Sequence, residues 1–335
     1  MKYNVLGKTG LKVSELCLGT MTFGGKGFFK VMGSLGQDSV DQLVRKAVDA
    51  GINFIDTANV YSEGMSEELT GKAIRNLGLN RDDLIVATKV RGAMGQGPND
   101  QGLTRKHIMQ QVEASLKRLN TDYIDLYQIH SFDPITPFEE TINALDDLVR
   151  SGKVRYIGAS NLSAWQLMKA VGYSKYQDKA KFVSMQSYYS LAGRDIEREL
   201  VPLLDDQKIG LMVWSPLSAG LLSGKYNRNG ESETGGRLTH FASFPVDRER
   251  AFNIIDVLQP MAEAKGATVA QLSLSWLLHQ SAVTSVIIGA NKIEQLEDNL
   301  HSVDIVFTAE ELKALDELSK LPVEYPGWML ERSKR

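Results

Sequence analysis

Asp56, Tyr61, Lys89 and His130 fall at, or just beyond, the ends of short apolar runs, and together they have the side chains needed to protonate a carbonyl oxygen. A tyrosine ionises near pH ~10, so close to neutrality its phenol is protonated but only weakly acidic. A lysine ammonium beside it stabilises the phenolate and lowers its pKa, while a carboxylate beside the lysine holds that charge in place. A histidine ring N–H orients the carbonyl and stabilises charge developing on its oxygen. No side chain supplies hydride, and a nicotinamide cofactor would fill that gap. Singly, the residues have plainer roles: Asp56 with Lys89 as a structural ion pair, His130 as a core histidine, Tyr61 as a loop anchor. Their joint placement argues for chemistry, because a hydrophobic core has no use for four such groups at one end.

The elements that must bring them together are readable from periodicity. The apolar runs are Leu16–Thr20, Asn53–Asp56, Leu84–Thr88, Tyr123–Ile129, Val154–Gly158, Val183–Ser187, Gly210–Trp214 and Thr284–Ile288. Each is of strand length and nearly continuous in apolar content, as in strands covered on both faces. The stretches between them read as amphipathic helices. Thr136-Pro137-Phe138-Glu139 has capping-box spacing with Pro at the first helical position, and Phe138, Ile142, Leu145, Leu148 and Val149 then share one face before Gly152 stops the helix. Ser163 with Gln166, Thr268 with Gln271 and Thr308 with Glu311 repeat the box spacing.

Eight strands alternating with helices form either an open doubly wound sheet or a closed barrel. The Gly-x-Gly-x-x-Gly of a dinucleotide-binding open sheet is missing after the first run, where Gly19-Thr20-Met21-Thr22-Phe23-Gly24-Gly25 stands, and no Walker A sequence occurs. The expected fold is therefore α/β: a (β/α)8 TIM barrel, one domain over residues 1–335, with an N-terminal β-hairpin at Tyr3–Val13 and an extra C-terminal helix at Ala309–Lys320. A barrel gathers its strand ends at one mouth, which adds Ser160, Asn161, Gln186 and Trp214 to the first four residues. The irregular stretch from Ser215 to Val246 is long enough to be a binding loop.

Composition narrows the function. Hydrophobic residues at 43% and charged residues at 24% exclude a disordered, collagen-like or disulfide-stapled chain. A formal net charge of -3 leaves no basic excess for a nucleic-acid partner. Cys17 is the single cysteine, so neither an internal disulfide nor a multi-thiolate metal site is expected, and no pair among the 5 histidines has ligand spacing. No apolar run approaches the ~18 residues of a membrane span, and MKYNVLGKTG lacks the apolar core of a secretion signal. A cytoplasmic protein without a membrane partner is expected.

The ordered segments also carry a resemblance. Gly51-Ile52-Asn53-Phe54-Ile55-Asp56-Thr57-Ala58 followed by Tyr61, then Ala87-Thr88-Lys89 and Gln128-Ile129-His130, resembles the aldo-keto reductase superfamily. The likeness begins at Leu6-Gly7-Lys8-Thr9-Gly10 and continues through Gly152-Lys153-Val154-Arg155-Tyr156-Ile157-Gly158-Ala159-Ser160-Asn161. It extends over Trp214-Ser215-Pro216-Leu217 and Gly220-Leu221-Leu222-Ser223-Gly224-Lys225 to Gly289-Ala290 with Gln295 and Asn299, and so covers essentially the whole chain. It is similar to the bacterial branch related to potassium-channel β-subunits.

What the resemblance implies is a barrel that binds NADP(H) across its mouth and reduces aldehydes or ketones to alcohols, with Asp56, Tyr61, Lys89 and His130 as catalytic tetrad. Ser160, Asn161 and Gln186 then hold the nicotinamide carboxamide, Trp214 stacks on the ring, and Thr20 and Asp56 line the same end. Ser215, Pro216, Leu217, Gly220 and Lys225 match a loop over the pyrophosphate, and Gly289, Asn291, Gln295, Asp298 and Asn299 match the adenosine end. Relatives commonly place an arginine in the segment that reads Gly289-Ala290-Asn291-Lys292 here, which leaves Lys292 or Arg237 to meet a 2′-phosphate and weakens the expected preference for NADPH over NADH.

Phe23–Gln37 with Phe28 and Phe29, Arg91–Gly102, and the tail from Tyr325 to Trp328 are left to shape a pocket for carbonyl compounds with an apolar body. Two other classes stay in view. One is a cofactor-binding redox sensor with little turnover. The other is a Schiff-base lyase on Lys89, which Asp56 opposes by raising the pKa of the amine. A monomer is the default for this superfamily, with a homo-oligomer the alternative because related branches form assemblies.

Overall fold

The computed structural model describes residues 1–226, 228 and 246–333. Arg237 and much of the Ser215–Val246 stretch lie outside the described residues. The chain opens with a hairpin of β1 (Tyr3–Val5) and β2 (Lys12–Ser14), antiparallel with Asn4 opposite Val13. Its turn is tied by Thr9, whose hydroxyl donates to the Leu6 carbonyl at 2.7 Å and accepts from the Leu11 N–H at 3.0 Å.

The apolar runs become β3 (Leu16–Gly19), β4 (Phe54–Asp56), β5 (Ile85–Val90), β6 (Ile124–Ile129), β7 (Val154–Ser160), β8 (Phe182–Tyr188), β9 (Gly210–Trp214) and β10 (Val283–Ile288). They close a parallel barrel in the order β10-β3-β4-β5-β6-β7-β8-β9. The fold is the expected (β/α)8 barrel with its N-terminal hairpin. Helices α1 (Gln37–Asp49), α2 (Met65–Asn76), α3 (Arg105–Leu119), α4 (Phe138–Arg150), α5 (Ala164–Tyr176) and α6 (Leu200–Gln207) follow β3 to β8 in turn. Between β9 and β10 lie α7 (Arg248–Lys265) and α8 (Val269–Leu278), and α9 (Ile293–Leu300) follows β10 to meet α1 and close the ring. The extra helix is α10 (Ala309–Ser319), packed on α7, and a further short helix, α11 (Gly327–Ser333), forms within the tail.

Side chains alternate along a strand, so two residues of advance separate one inward position from the next. Leu6 and Val13 of the hairpin join Cys17, Phe54, Ile85, Ala87, Leu126 and Met212 in an apolar cluster that plugs one end of the barrel. Two positions beyond Phe54, Ala87 and Leu126 come Asp56, Lys89 and Gln128. The same inward faces therefore turn from apolar floor to polar mouth within one step.

Several boundaries differ from the sequence pattern. Strand β5 runs on through Lys89 and β7 through Ser160, because Lys89 pairs in register with Gln128 and Ser160 with Gln186. Polar residues there continue the ladder. The boxes at Thr268–Gln271 and Thr308–Glu311 form, as does the reach-back from Gln166 to the Ser163 N–H at 3.0 Å. The box at Thr136 does not. Pro137 occupies the N-cap of α4, which leaves Thr136 one position too early for its oxygen to accept from the N3 N–H, and the Thr136 hydroxyl donates to Asp133 at 2.7 Å. Among the described residues no helix is long and apolar enough to cross a membrane.

Candidate active site

Lys89 is fully buried, and its ammonium donates to Asp56 Oδ2 at 2.5 Å, to the Thr57 carbonyl at 2.9 Å and to the Tyr61 hydroxyl at 3.4 Å. The other oxygen of Asp56 accepts from the side-chain amides of Gln128 at 2.9 Å and Gln186 at 3.0 Å. A buried ion pair is costly unless its remaining valences are met, and here both partners are fully engaged. Gly158 makes room for this network: a Cβ there would fall 2.5 Å from Ser184 Oγ and 3.0 Å from Gln128 Cγ.

Tyr61 reaches the mouth on a one-turn segment after β4. Ser62 and Glu63, immediately behind it, hold φ of 49° and 58°, a left-handed conformation costing a non-glycine residue roughly 1–2 kcal/mol. The Gly25 N–H donates to Ser62 Oγ at 3.1 Å and secures the turn. Strain held in this way fixes the phenol over Lys89, whose ammonium stands 5.0 Å from the ring centre. His130 lies edge-on to Tyr61 with ring centres 5.7 Å apart, and its backbone N–H donates to the Val90 carbonyl at 2.9 Å.

The electrostatics correct one expectation from sequence. Burial raises the Tyr61 pKa above its ordinary value and outweighs the lowering effect of Lys89, so the phenol is held protonated. For Lys89, burial pulls the pKa down, but Asp56 and Tyr61 prevail and leave it raised, so the ammonium keeps its charge. Burial, then the charges of Lys89 and Arg91, push His130 down to about 3, so its ring is neutral near neutrality.

The other anticipated residues fall into two groups. Ser160, Asn161, Gln186 and Trp214 come to the same mouth as a linked set. Asn161, at φ 53°, donates to the His130 carbonyl and to Ser160 Oγ, both at 3.0 Å, and its Oδ1 accepts from Trp214 Nε1 at 3.0 Å. Trp214 is half-buried, with its indole 5.5 Å from the Tyr188 ring. Beyond it Ser215, Ser218, Ala219 and Gly220 all have left-handed φ, and the loop brings its backbone beside exposed Lys225. A methyl on Gly220 would lie 3.8 Å from Lys225 Nζ. Pro216 is buried and Leu217 half-buried in the same turn.

At the far end several groups are already engaged. Asn291 donates to the Met32 carbonyl at 3.1 Å, Gln295 accepts from the Asn291 N–H at 2.9 Å, and Asp298 accepts from Gln271 at 2.8 Å. Gly289 is exposed, whereas Asn299 is buried. Thr20 is buried too, its hydroxyl 3.2 Å from the Asp56 carbonyl and 2.8 Å from Ser66 Oγ, so it steadies the end of β4. A half-exposed indole pinned at one edge, with a cationic loop next to it, suits a planar ring that continues into phosphates.

Comparison with known proteins decides the family. A profile of the aldo/keto reductase family matches residues 15–320. The chain is 38% identical to a probable voltage-gated potassium channel subunit beta of Arabidopsis thaliana over 91% of its length and 92% of the relative's. It is 37% identical to an uncharacterized oxidoreductase, YrpG, of Bacillus subtilis over 95% and 96% of the two chains. With versiconal hemiacetal acetate reductase of Aspergillus parasiticus the identity is 34%, over 98% and 99%. The chain belongs to the aldo/keto reductase family.

This aldo/keto reductase is thus an oxidoreductase, in the branch that contains channel-subunit and bacterial relatives. Sequence reasoning gave no role to Gln128 or Glu67, and none to Phe29 beyond shaping a pocket. Gln128 shares the inward face with His130, and the two-residue spacing within Gln128-Ile129-His130 was the signal. Phe29 packs on Tyr61 with ring centres 5.2 Å apart, while Phe28 is 65% exposed, so one aromatic of the pair covers the phenol and its neighbour faces solvent. Glu67, wholly buried on α2, accepts from Thr88 at 2.5 Å and from Arg118 at 2.6 Å, bracing β5 from behind. No sequence pattern announces that last triad. Among the described residues, no group of three or more histidine, cysteine or acidic side chains is placed to hold a metal. The Tyr325–Trp328 tail is bordered by Arg198, which contacts the Pro322 carbonyl at 3.1 Å and Glu324 at 3.1 Å.

Proposed function

We propose that the protein reduces aldehydes and ketones to alcohols with NADPH, Tyr61 acting as general acid. The observation that carries this reading is the Lys89 ammonium, 3.4 Å from the Tyr61 hydroxyl and fixed by Asp56. A bound reduced nicotinamide supplies the hydride that no side chain of the protein can. The carbonyl oxygen, gaining charge as its carbon is reduced, takes the Tyr61 proton. The phenolate left behind faces a fixed cation, and an incoming water proton restores the phenol.

His130 assists because it is neutral: an imidazole N–H polarises the carbonyl without competing as a stronger acid. Asp56, Gln128 and Gln186 keep Lys89 charged and in place. Trp214, with Asn161 at its edge, and Lys225 would hold the ring and phosphates of the cofactor, and Phe29 shields the phenol from water.

The test is loss of NADPH absorbance with a panel of aldehydes and ketones, comparing wild type with Tyr61→Phe. Turnover that vanishes in the variant supports both reaction and acid; absence of NADPH binding overturns the reading. The likeness to a plant channel subunit favours one second reading, a cofactor-binding redox sensor with little turnover. Tight NADPH binding with no steady-state reduction across the panel would favour it.

A further inference from the structure

Arg91 stands at the rim between the proposed acid and the histidine, and the mechanism leaves it without a task. It follows Val90, whose carbonyl accepts from the His130 N–H at 2.9 Å, so its backbone adjoins His130, just past the end of the neighbouring strand. A Cβ on Gly92 would fall 2.8 Å from Val60 Cγ2, so the Arg91-Gly92 turn lies against the residue that precedes Tyr61. Arg91 has φ 152°, a region that residues other than glycine rarely adopt, and the loop is pinned by a bond from the Gly102 N–H to the Arg91 carbonyl at 2.9 Å. Its guanidinium Nε is buried without a hydrogen-bond partner, and the side chain makes no ion pair among the described residues.

A buried guanidinium donor left unpaired asks for an acceptor. The carboxylate tied to the same loop, Asp133, does not provide one: its oxygens are taken by the Leu103 N–H at 2.7 Å, the Thr136 hydroxyl at 2.7 Å and the Ile135 N–H at 3.0 Å. Nor is the proposed cofactor placed to do so. The residues assigned to its phosphates follow β9 and β10, and β9 stands four strands from β5 in the closed order, directly across an eight-stranded mouth. The charge of Arg91 nevertheless acts on His130, so it is close to the reacting group.

We propose that Arg91 sets substrate specificity by binding the carboxylate of an oxo acid, one whose carbonyl reaches Tyr61 and His130 while its apolar body lies along Phe29. A guanidinium is a planar fork that matches a carboxylate with two parallel bonds, and one such fork suits one carboxylate. This assignment rests on the carbonyl-reductase reading and names its substrate class.

A matched pair of probes tests it: 4-carboxybenzaldehyde and methyl 4-formylbenzoate, which differ at the charged end and share the reacting aldehyde. Wild type is expected to prefer the acid in kcat/KM by roughly 10²-fold, mainly through KM. Arg91→Gly suits a backbone that favours glycine and should fold; it is expected to bring that preference close to one, with Arg91→Lys retaining part of it. Equal kcat/KM for both probes in wild type, or a preference that survives Arg91→Gly, overturns the proposal while leaving the reductase reading intact. Calorimetric binding of both probes to the protein saturated with NADP+ separates the two readings. Selective binding of the acid that depends on Arg91, without turnover, would uphold Arg91 and sink the reductase reading; no difference in binding would sink Arg91.

Discussion

Tyr61 and Lys89 meet at 3.4 Å, yet the phenol is harder to ionise than a free tyrosine, because burial outweighs the neighbouring charge. On the proposed reading the phenol stays loaded until the substrate oxygen itself becomes basic, and the ammonium would stabilise the product of transfer more than it lowers the resting pKa. Tyr61→Phe keeps the ring against Phe29 and His130 but removes the proton. Its kcat is expected to fall roughly 10²–10⁴-fold while the NADPH dissociation constant stays within about twofold, measured by steady-state kinetics and fluorescence titration. An unchanged kcat would pass the role of donor to His130.

Lys89→Met leaves Asp56 charged and buried with only two amide donors. Removing one partner of a buried pair costs about 3–5 kcal/mol, so the urea midpoint should drop sharply. Adding Asp56→Asn to Lys89→Met removes the stranded charge and should recover part of the loss. A double variant no more stable than the single one would mean that the carboxylate never felt the deletion.

The barrel and the meeting of Asp56, Tyr61, Lys89 and His130 at its mouth were legible because both rest on local pattern: apolar runs of strand length, box spacings, and polar residues at run ends. Asp56, Tyr61, Lys89 and His130 converge as a closed parallel barrel requires. What stayed hidden depends on packing between distant segments. The Phe29–Tyr61 contact joins two loops, the Glu67–Arg118 pair joins two helices, the Asn291 side chain is held by the Met32 carbonyl of a distant loop, and Asp298 meets Gln271 only once α8 and α9 are packed. Thr136 shows the limit of a local rule, since the helix starts one residue later than the box spacing places it and Pro137 takes the cap.

His130 gives a pH prediction with a definite sign. In the unfolded chain an imidazole binds a proton below pH ~6.5, whereas the folded ring stays neutral to about 3. Between those values the unfolded state holds the extra proton, so the stability tied to the neutral ring is present above about pH 6.5 and is lost as pH falls. Urea unfolding at pH 7.5 and 5.0 should show wild type losing more stability on acidification than His130→Asn. Equal losses would place the histidine in ordinary solvent contact.

Cofactor preference turns on what remains free at the adenosine end. Asn291 donates to the Met32 carbonyl, Gln295 is engaged by the Asn291 N–H, and Asp298 accepts from Gln271, so none is an open phosphate partner. Lys292 is exposed and forms no ion pair among the described residues. An ammonium is a point charge without the fork of a guanidinium, and at an exposed site it contributes about 1 kcal/mol or less. NADPH is therefore expected to bind more tightly than NADH, by roughly fivefold, and Lys292→Ala should remove part of that margin with little effect on NADH. Raising the salt from 50 mM to 500 mM should narrow the margin as well, because exposed charge pairs are screened. Fluorescence titrations with both dinucleotides settle the point, and equal dissociation constants at low salt would contradict the assignment of NADPH.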